Sequence, residues 1–473
     1  MVEGRSTDQQ NRVQHSAENR RGKAALFLAV CALAGLAPHW LAPGQSLIPS
    51  LVLAVLLGGY SIRTVLLDPP AIASEPDPLD GIASGLAAER PAVDVVVAAR
   101  DEQAVIGRLV DRIASLRYPS DRLLLWVIDD GSEDRTPDLL RDLQTRQPQL
   151  RVLRRSRDAG GGKSGALNLV LPQLQGRWLL VLDADADLQV DVLETLIPWA
   201  EAGGWQAVQL RKAVANPDAN LLTRAQAMEM AFDAVIQQGR LSAGGIAELR
   251  GNGQLLRRDA VLACGGFNEA TVTDDLDLSM RLLLEGRPIG VLWDPPVQEE
   301  AVLSLRALWR QRQRWAEGGL QRFLDYAPGL VSDRLNRTQK LDLLSFFVLQ
   351  YMMPVMAAAD LLGVLITGSA PAMWPFSIVA LSLSGLAIVS GCRRPSLGPP
   401  LPRVSLPMVS LGVLYLVHWF VVIPWVTLRM ALLPKRLVWA KTLHHGGGLD
   451  DPEAEIDLDA DSEAELAAEG GPL

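Results

Sequence analysis

The sequence predicts an α/β protein with a largely parallel, Rossmann-like sheet, held between membrane-crossing segments. Three observations point there. Buried-type strands alternate with helical patterns from Pro91 onward, the strands run out into acids or glycines, and apolar blocks stand near both ends of the chain. The blocks cover 24–38 and 47–60 in front and 343–367, 373–391 and 406–433 behind. Three of them approach or exceed the ~20 residues that span a bilayer, and the first two are short but close enough for a hairpin. The first block follows 23 polar residues and is itself followed by another, which argues against a cleaved signal peptide.

The 473 residues divide accordingly. A polar, basic N-terminus (1–23) leads into a transmembrane hairpin (24–67) and a linker rich in proline, glycine and acids (68–90). The α/β domain spans 91–328, a C-terminal transmembrane region 329–442, and an acidic tail 443–473. Arg20, Arg21 and Lys23 beside the first block place this end in the cytosol. The net charge of −9 belongs to the tail, because 450–469 holds ten acids and no base. Such a segment is expected to be disordered, and the near-neutral remainder carries no nucleic-acid footprint. Three dispersed cysteines suggest neither disulfides nor zinc, which fits a reducing, cytosol-facing domain.

Within the domain, 93–98 reads as a strand running into Arg100, Asp101 and Glu102, with a helix over 104–116. A second strand, 123–128, ends at Asp129-Asp130-Gly131-Ser132. A helix from Pro137 and a short strand at 150–153 lead to the loop Ala159-Gly160-Gly161-Gly162-Lys163, and a helix starts near Ser164. Glycines free that backbone to approach an anion and Lys163 adds charge, so the loop suits a phosphate or is a flexible turn; its spacing is not that of a Walker A motif.

The central strand is 179–182, whose unbroken apolar run implies burial on both faces. Asp183 and Asp185 emerge at its end, where an α/β sheet places its chemistry. Two oxygen ligands one residue apart suit magnesium or manganese, which keep substrate phosphates as further ligands; a solvated acidic turn is the competing reading. Downstream, Thr273-Asp274-Asp275 opens a helix over 276–284, either as an N-cap or as carboxylates aimed into a cleft. No histidine lies between His39 and His418, so a catalytic base in this region is most simply a carboxylate. Last, 303–324 mixes Trp309, Arg310, Arg312, Arg314, Trp315 and Arg322 on an amphipathic pattern, as an interfacial helix or as an acceptor-site motif. Of the blocks behind it, 406–433, with Pro424 inside, is the candidate for a hairpin or interfacial segment, since Arg429, Lys435, Arg436 and Lys441 favour the cytosolic side.

In their order, Asp129-Asp130-Gly131-Ser132, the run Lys163 to Asn168, Asp183-Ala184-Asp185, Thr273-Asp274-Asp275 and Gln311-Arg312-Gln313-Arg314-Trp315 resemble the family 2 glycosyltransferases with a GT-A fold. The family commonly has Thr-Glu-Asp where this chain has Thr273-Asp274-Asp275. The resemblance implies a UDP-sugar donor held by Glu102, Asp129, Asp130, Lys163 and Asp183, with Asp183 and Asp185 on Mg²⁺ or Mn²⁺. It implies Asp275 as general base, with Asp183 and Asp129 also in the catalytic set, and an inverting transfer. Asp274, Gln311, Arg314 and Trp315 fall on the acceptor side. Within the family, Gly161 to Asn168, Glu248 to Gln254, Thr271 to Leu278 and Arg314 to Gly319 look most like cyanobacterial β-monoglucosyldiacylglycerol synthases. Those move glucose from UDP-glucose to 1,2-diacylglycerol, so the resemblance implies a membrane lipid acceptor in the bilayer. A processive polysaccharide synthase of the cellulose, hyaluronan or poly-N-acetylglucosamine kind shares every motif. A non-catalytic membrane scaffold is disfavoured, because a binding protein gains little from several like charges in one cleft.

Overall fold

The computed structural model describes residues 20–42, 44–67 and 90–433. Residues 1–19 of the basic N-terminus, the linker at 68–89, the last residues of the C-terminal membrane region (434–442) and the acidic tail at 443–473 lie outside the described residues. The sheet has seven strands: β1 (Val93–Ala99), β2 (Leu123–Asp130), β3 (Leu150–Arg155), β4 (Trp178–Leu182), β5 (Ala207–Val214), β6 (Gln254–Arg257) and β7 (Ile289–Glu299), in the order β3-β2-β1-β4-β6-β5-β7. β1 to β4 are mutually parallel, as expected from their alternation with helices. The sheet is nevertheless mixed: β6 runs antiparallel to both β4 and β5, while β5 and β7 are parallel. β6 is four residues long and follows Gly251 and Gly253, both at positive φ.

Burial on both faces explains the strand composition. Val95 and Val97 of β1 pack with Trp178, Leu180 and Leu182 of β4 in one core; Val96, Leu179 and Val181 point into the other. Parallel register sets Val97 opposite Leu182 and Ala99 opposite Asp129, so β1, β2 and β4 end along one edge. In chain order the helices are α1 (Arg20–Leu36), α2 (Ile48–Leu66), α3 (Ile106–Ala114), α4 (Thr136–Arg146), α5 (Gly162–Val170), α6 (Val192–Ala202), α7 (Leu221–Ser242), α8 (Arg258–Ala263), α9 (Asp274–Leu284) and α10 (Leu305–Val331). Behind follow α11 (Arg337–Phe347), a π-helical turn (Val348–Met352), α12 (Met353–Thr367), α13 (Trp374–Arg393), α14 (Leu406–Leu416) and α15 (Trp419–Leu432).

Among the described residues five helical segments are long and apolar enough to cross a membrane: Arg20–Trp40, Ile48–Leu66, Arg337–Thr367, Trp374–Arg393 and Leu406–Leu432. They are bound to the α/β domain by charge as well as packing. Arg20 pairs with Asp325 of α10 at 2.7 Å, and Arg240 of α7 pairs with Asp342 of α11 at 2.8 Å. The last segment breaks between α14 and α15, at Val417–His418, whereas Pro424 is accommodated inside α15. Tyr415 and Trp419 donate to Glu229, and Trp425 and Arg429 donate to Gln313 of α10. Both halves therefore lie against the α/β domain.

Candidate active site

A cavity of about 1040 Å³ opens along the common strand edge and continues among the membrane helices. At its polar end Asp183 follows β4 and is 38 % exposed. Its backbone N–H donates to Asn252 (3.1 Å), fixing the strand exit, and Lys163 donates to its carboxylate at 2.5 Å. Burial works against charge on Asp183, but Lys163, Lys212 and Arg314 outweigh it and hold the carboxyl below its usual range. Burial likewise disfavours charge on Lys163, yet contact with Asp183 and the fields of Asp274 and Asp275 raise its pKa. Asp185 is buried and accepts from the Glu300 N–H at 3.0 Å, so β7 anchors the second carboxylate.

The glycine loop delivers Lys163 and nothing else to the cavity. Gly160, Gly161 and Gly162 all take positive φ to make the turn, and Arg155 holds the carbonyls of Gly160 and Gly162. Asp129 and Asp130 do not line the cavity. Asp129 accepts from the Ser132 N–H and pairs with Arg154 at 3.3 Å, while Asp130 binds Arg155. Both are buried at the end of β2, while Glu102, Lys163, Asp183 and Asp185 line the cavity.

Opposite stands the start of α9. Thr273 occupies the N-cap position but its side chain makes no capping bond, while the Asp275 carboxyl accepts from the Leu276 N–H in the first turn. Its hydroxyl is buried against α10, where a side chain at Gly318 would lie 2.1 Å from it. Asp274 and Asp275 both line the cavity. Burial, reinforced by the Asp274 charge, pushes Asp275 up to about 6, and one Asp274 oxygen is buried without a hydrogen bond. A carboxyl poised there accepts a proton near neutral pH.

α10 supplies the third wall with Gln311, Arg314 and Trp315. Arg312 turns away to bind Glu229 and stacks at 3.9 Å over Trp315, whose ring also faces Lys212 at 5.0 Å. Among the described residues Arg314 has no hydrogen-bond or ion-pair partner, and its charge acts on Asp183. Lys212, Glu299 and Glu300 join the lining without having been singled out in the sequence. The available signal was the Arg211-Lys212 pair inside an otherwise buried strand.

Residues 91–318 match the family model described as glycosyltransferase-like family 2. The chain is 42% identical over 455 residues to a protein of Synechocystis sp. named beta-monoglucosyldiacylglycerol synthase, covering 95% of this chain and 93% of that one. A protein of the same name from Trichormus variabilis is 41% identical, with 91% and 90% covered. Among solved structures, a mannosyltransferase from Pyrobaculum calidifontis in complex with GDP-Man and Mn²⁺ has a TM-score of 0.54 at 20% identity, covering 85% of this chain and 99% of that one. That likeness is one of fold. The chain belongs to glycosyltransferase family 2 and is a sugar transferase of the GT-A fold.

Proposed function

We propose that the protein transfers glucose from UDP-glucose to the free hydroxyl of 1,2-diacylglycerol, giving the β-monoglucosyl lipid. The observation that carries this is the single cavity, with Asp183, Asp185 and Asp275 at one end and Leu349, Leu381 and Phe420 of the membrane helices at the other. A lipid keeps its tails in the apolar part and presents one hydroxyl at the polar part. A growing polysaccharide would leave hydroxyls unpaired among those apolar side chains. The one acid inside the expected apolar blocks, Asp360, is absent from the lining and is held by His39 and by the N–H groups of Ala372 and Met373. The names of the relatives agree with the lipid reading.

In the reaction, Asp275 takes the proton of the acceptor hydroxyl as its oxygen attacks the anomeric carbon. The bond from that carbon to the UDP phosphate breaks, the electron pair leaves on UDP, and the configuration inverts. Lys163 and Arg314 offset the charge growing on the diphosphate. Asp183 and Asp185 fit a divalent cation: they are two oxygen donors one residue apart after β4, and both line the cavity. That is how magnesium or manganese is held when substrate phosphates complete its shell. When bound, the ion supplies further positive charge to the departing diphosphate. We assign Glu102 to the donor side, Gln311, Trp315 and Asp274 to the acceptor side, and Asp129 and Asp130 to the support of the loop after β2.

The basic ends Arg20, Lys23, Arg63, Arg394 and Arg429 all bond to the α/β domain or to α10. Under the positive-inside tendency this supports a cytosolic catalytic domain on an integral membrane protein. UDP release by the purified full chain tests the function. Release is expected to require dispersed diacylglycerol and to stop with a chelator and return with magnesium or manganese. Lipid-independent release at the same rate, or full turnover in excess chelator, contradicts the proposal.

A further inference from the structure

The membrane half of the cavity has apolar walls, among them Leu349, Met353, Leu381, Leu416 and Phe420. Most polar groups that reach it are already bonded. Tyr60 donates to Asp342 (2.6 Å), Thr64 to the Tyr60 carbonyl (3.0 Å), Ser384 to the Ala380 carbonyl (2.9 Å) and Trp419 to Glu229 (3.0 Å). Gln350 differs: it lines the cavity and its amide has no hydrogen-bond partner among the described residues, as is also true of the Ser61 and Tyr351 hydroxyls in this half.

Local sequence explains its placement. Pro354 has no N–H to give the Gln350 carbonyl in an α-helix, and the chain widens there into the π-helical turn Val348–Met352, with Met353 N–H bonding Val348. Such turns often mark functional sites. The depth is also set. Next to Gln350, the Tyr351 hydroxyl abuts α10, where a side chain at Gly319 would lie 1.9 Å from it. Phe346, one turn earlier, lies 4.1 Å beneath the Arg240 guanidinium. Gln350 therefore sits just below the junction of the α/β domain and the apolar helices.

We infer that Gln350 binds an ester carbonyl of the diacylglycerol acceptor, seating the glycerol so that its free hydroxyl points toward Asp275. This rests on the lipid-acceptor reading above. An unpaired amide among apolar side chains is costly, and an ester carbonyl is an acceptor that can be offered only by the lipid. One acyl chain then runs along Leu349, Met353 and Leu381.

The test compares dioleoylglycerol with its dialkyl ether, which has the same chains and free hydroxyl but no carbonyls, using wild type and Gln350→Leu. Wild type is expected to show a KM for the ether about three- to tenfold above that for the ester, the size of one neutral hydrogen bond. In Gln350→Leu the ester KM rises to the ether value and the ratio falls to about one. The KM for UDP-glucose stays unchanged. An ester preference retained by Gln350→Leu overturns the inference, and so does its absence in wild type, a result that needs no variant to fold. If wild type glucosylates neither lipid, the acceptor reading falls and this inference with it; glucosylation with an unmoved ratio sinks this inference alone.

Discussion

Two buried acidic clusters border the same cavity and behave oppositely. At the start of α9, Asp275 faces Asp274 and is pushed up to about 6. Between α7 and α11, Glu248 is surrounded by Arg240 (3.4 Å), Arg250 (3.3 Å) and Arg322 (3.0 Å), and although burial opposes its charge these arginines hold it down at about 2. Asp342 completes that second cluster through Arg240, Tyr60 and the Ile246 N–H. The difference lies in the partners, not in the depth. Acids matched by arginines form a joint that locks the catalytic domain to the membrane helices, whereas acids facing each other store the basicity the reaction draws on.

Asp275→Asn sharpens the contrast most. Turnover is expected to fall by about 10²–10⁴, the usual worth of a general base, with the KM for UDP-glucose nearly unchanged. Stability should hold or rise slightly, since the charged form of Asp275 is disfavoured in the folded state. Removing the other cluster's centre, Glu248→Ala, strips the buried Arg322 of its ion pair, leaves Arg240 and Arg250 with only Asp342 and Asp233, and is expected to cost about 3–5 kcal/mol in unfolding measurements. A Glu248→Ala protein of native stability would break the distinction.

Acidity separates the clusters without mutation. Protonation of Asp275 should cut activity about tenfold per pH unit below about 6. Its raised value favours the fold below the ordinary carboxylate range, a contribution lost as pH rises through 6. Glu248 has the opposite sign: its lowered value stabilises the fold above about 4.5, and that contribution is lost as pH falls toward about 2. From pH 6 down to 4.5 the protein is thus expected to lose turnover while the fold gains stability from Asp275, Glu248 staying charged throughout, and loss of turnover and stability together would contradict the assignment. The smallest effect is that of Asp274→Asn, which should move the acid limb of the activity profile to lower pH by removing the neighbouring charge.

Much of this was legible because it is local. An unbroken apolar run ending in Asp183 and Asp185 announces a doubly buried strand and its exit, and the Thr273 to Asp275 run marks a helix start. The non-local parts were not. The Arg240–Asp342 pair spans 102 residues of sequence, and nothing near either residue signals the other. The reversal of β6 depends on a glycine turn whose direction only the packed sheet decides. In the block at 406–433, proline suggested the irregularity, but the break falls at Val417–His418, where Tyr415 and Trp419 turn toward Glu229. Asp129 and Asp130 were expected in the donor site by their motif, and their ion pairs with Arg154 and Arg155 of β3 were not legible in it.

The most direct measurement is the product itself. Purified full chain is incubated with UDP-glucose, magnesium and dioleoylglycerol, and the glucosylated material is resolved by mass and by anomeric NMR coupling. One hexose per lipid in the β configuration is the expected result; a long glucose polymer formed without lipid would contradict the proposal and identify the cavity as a polysaccharide channel.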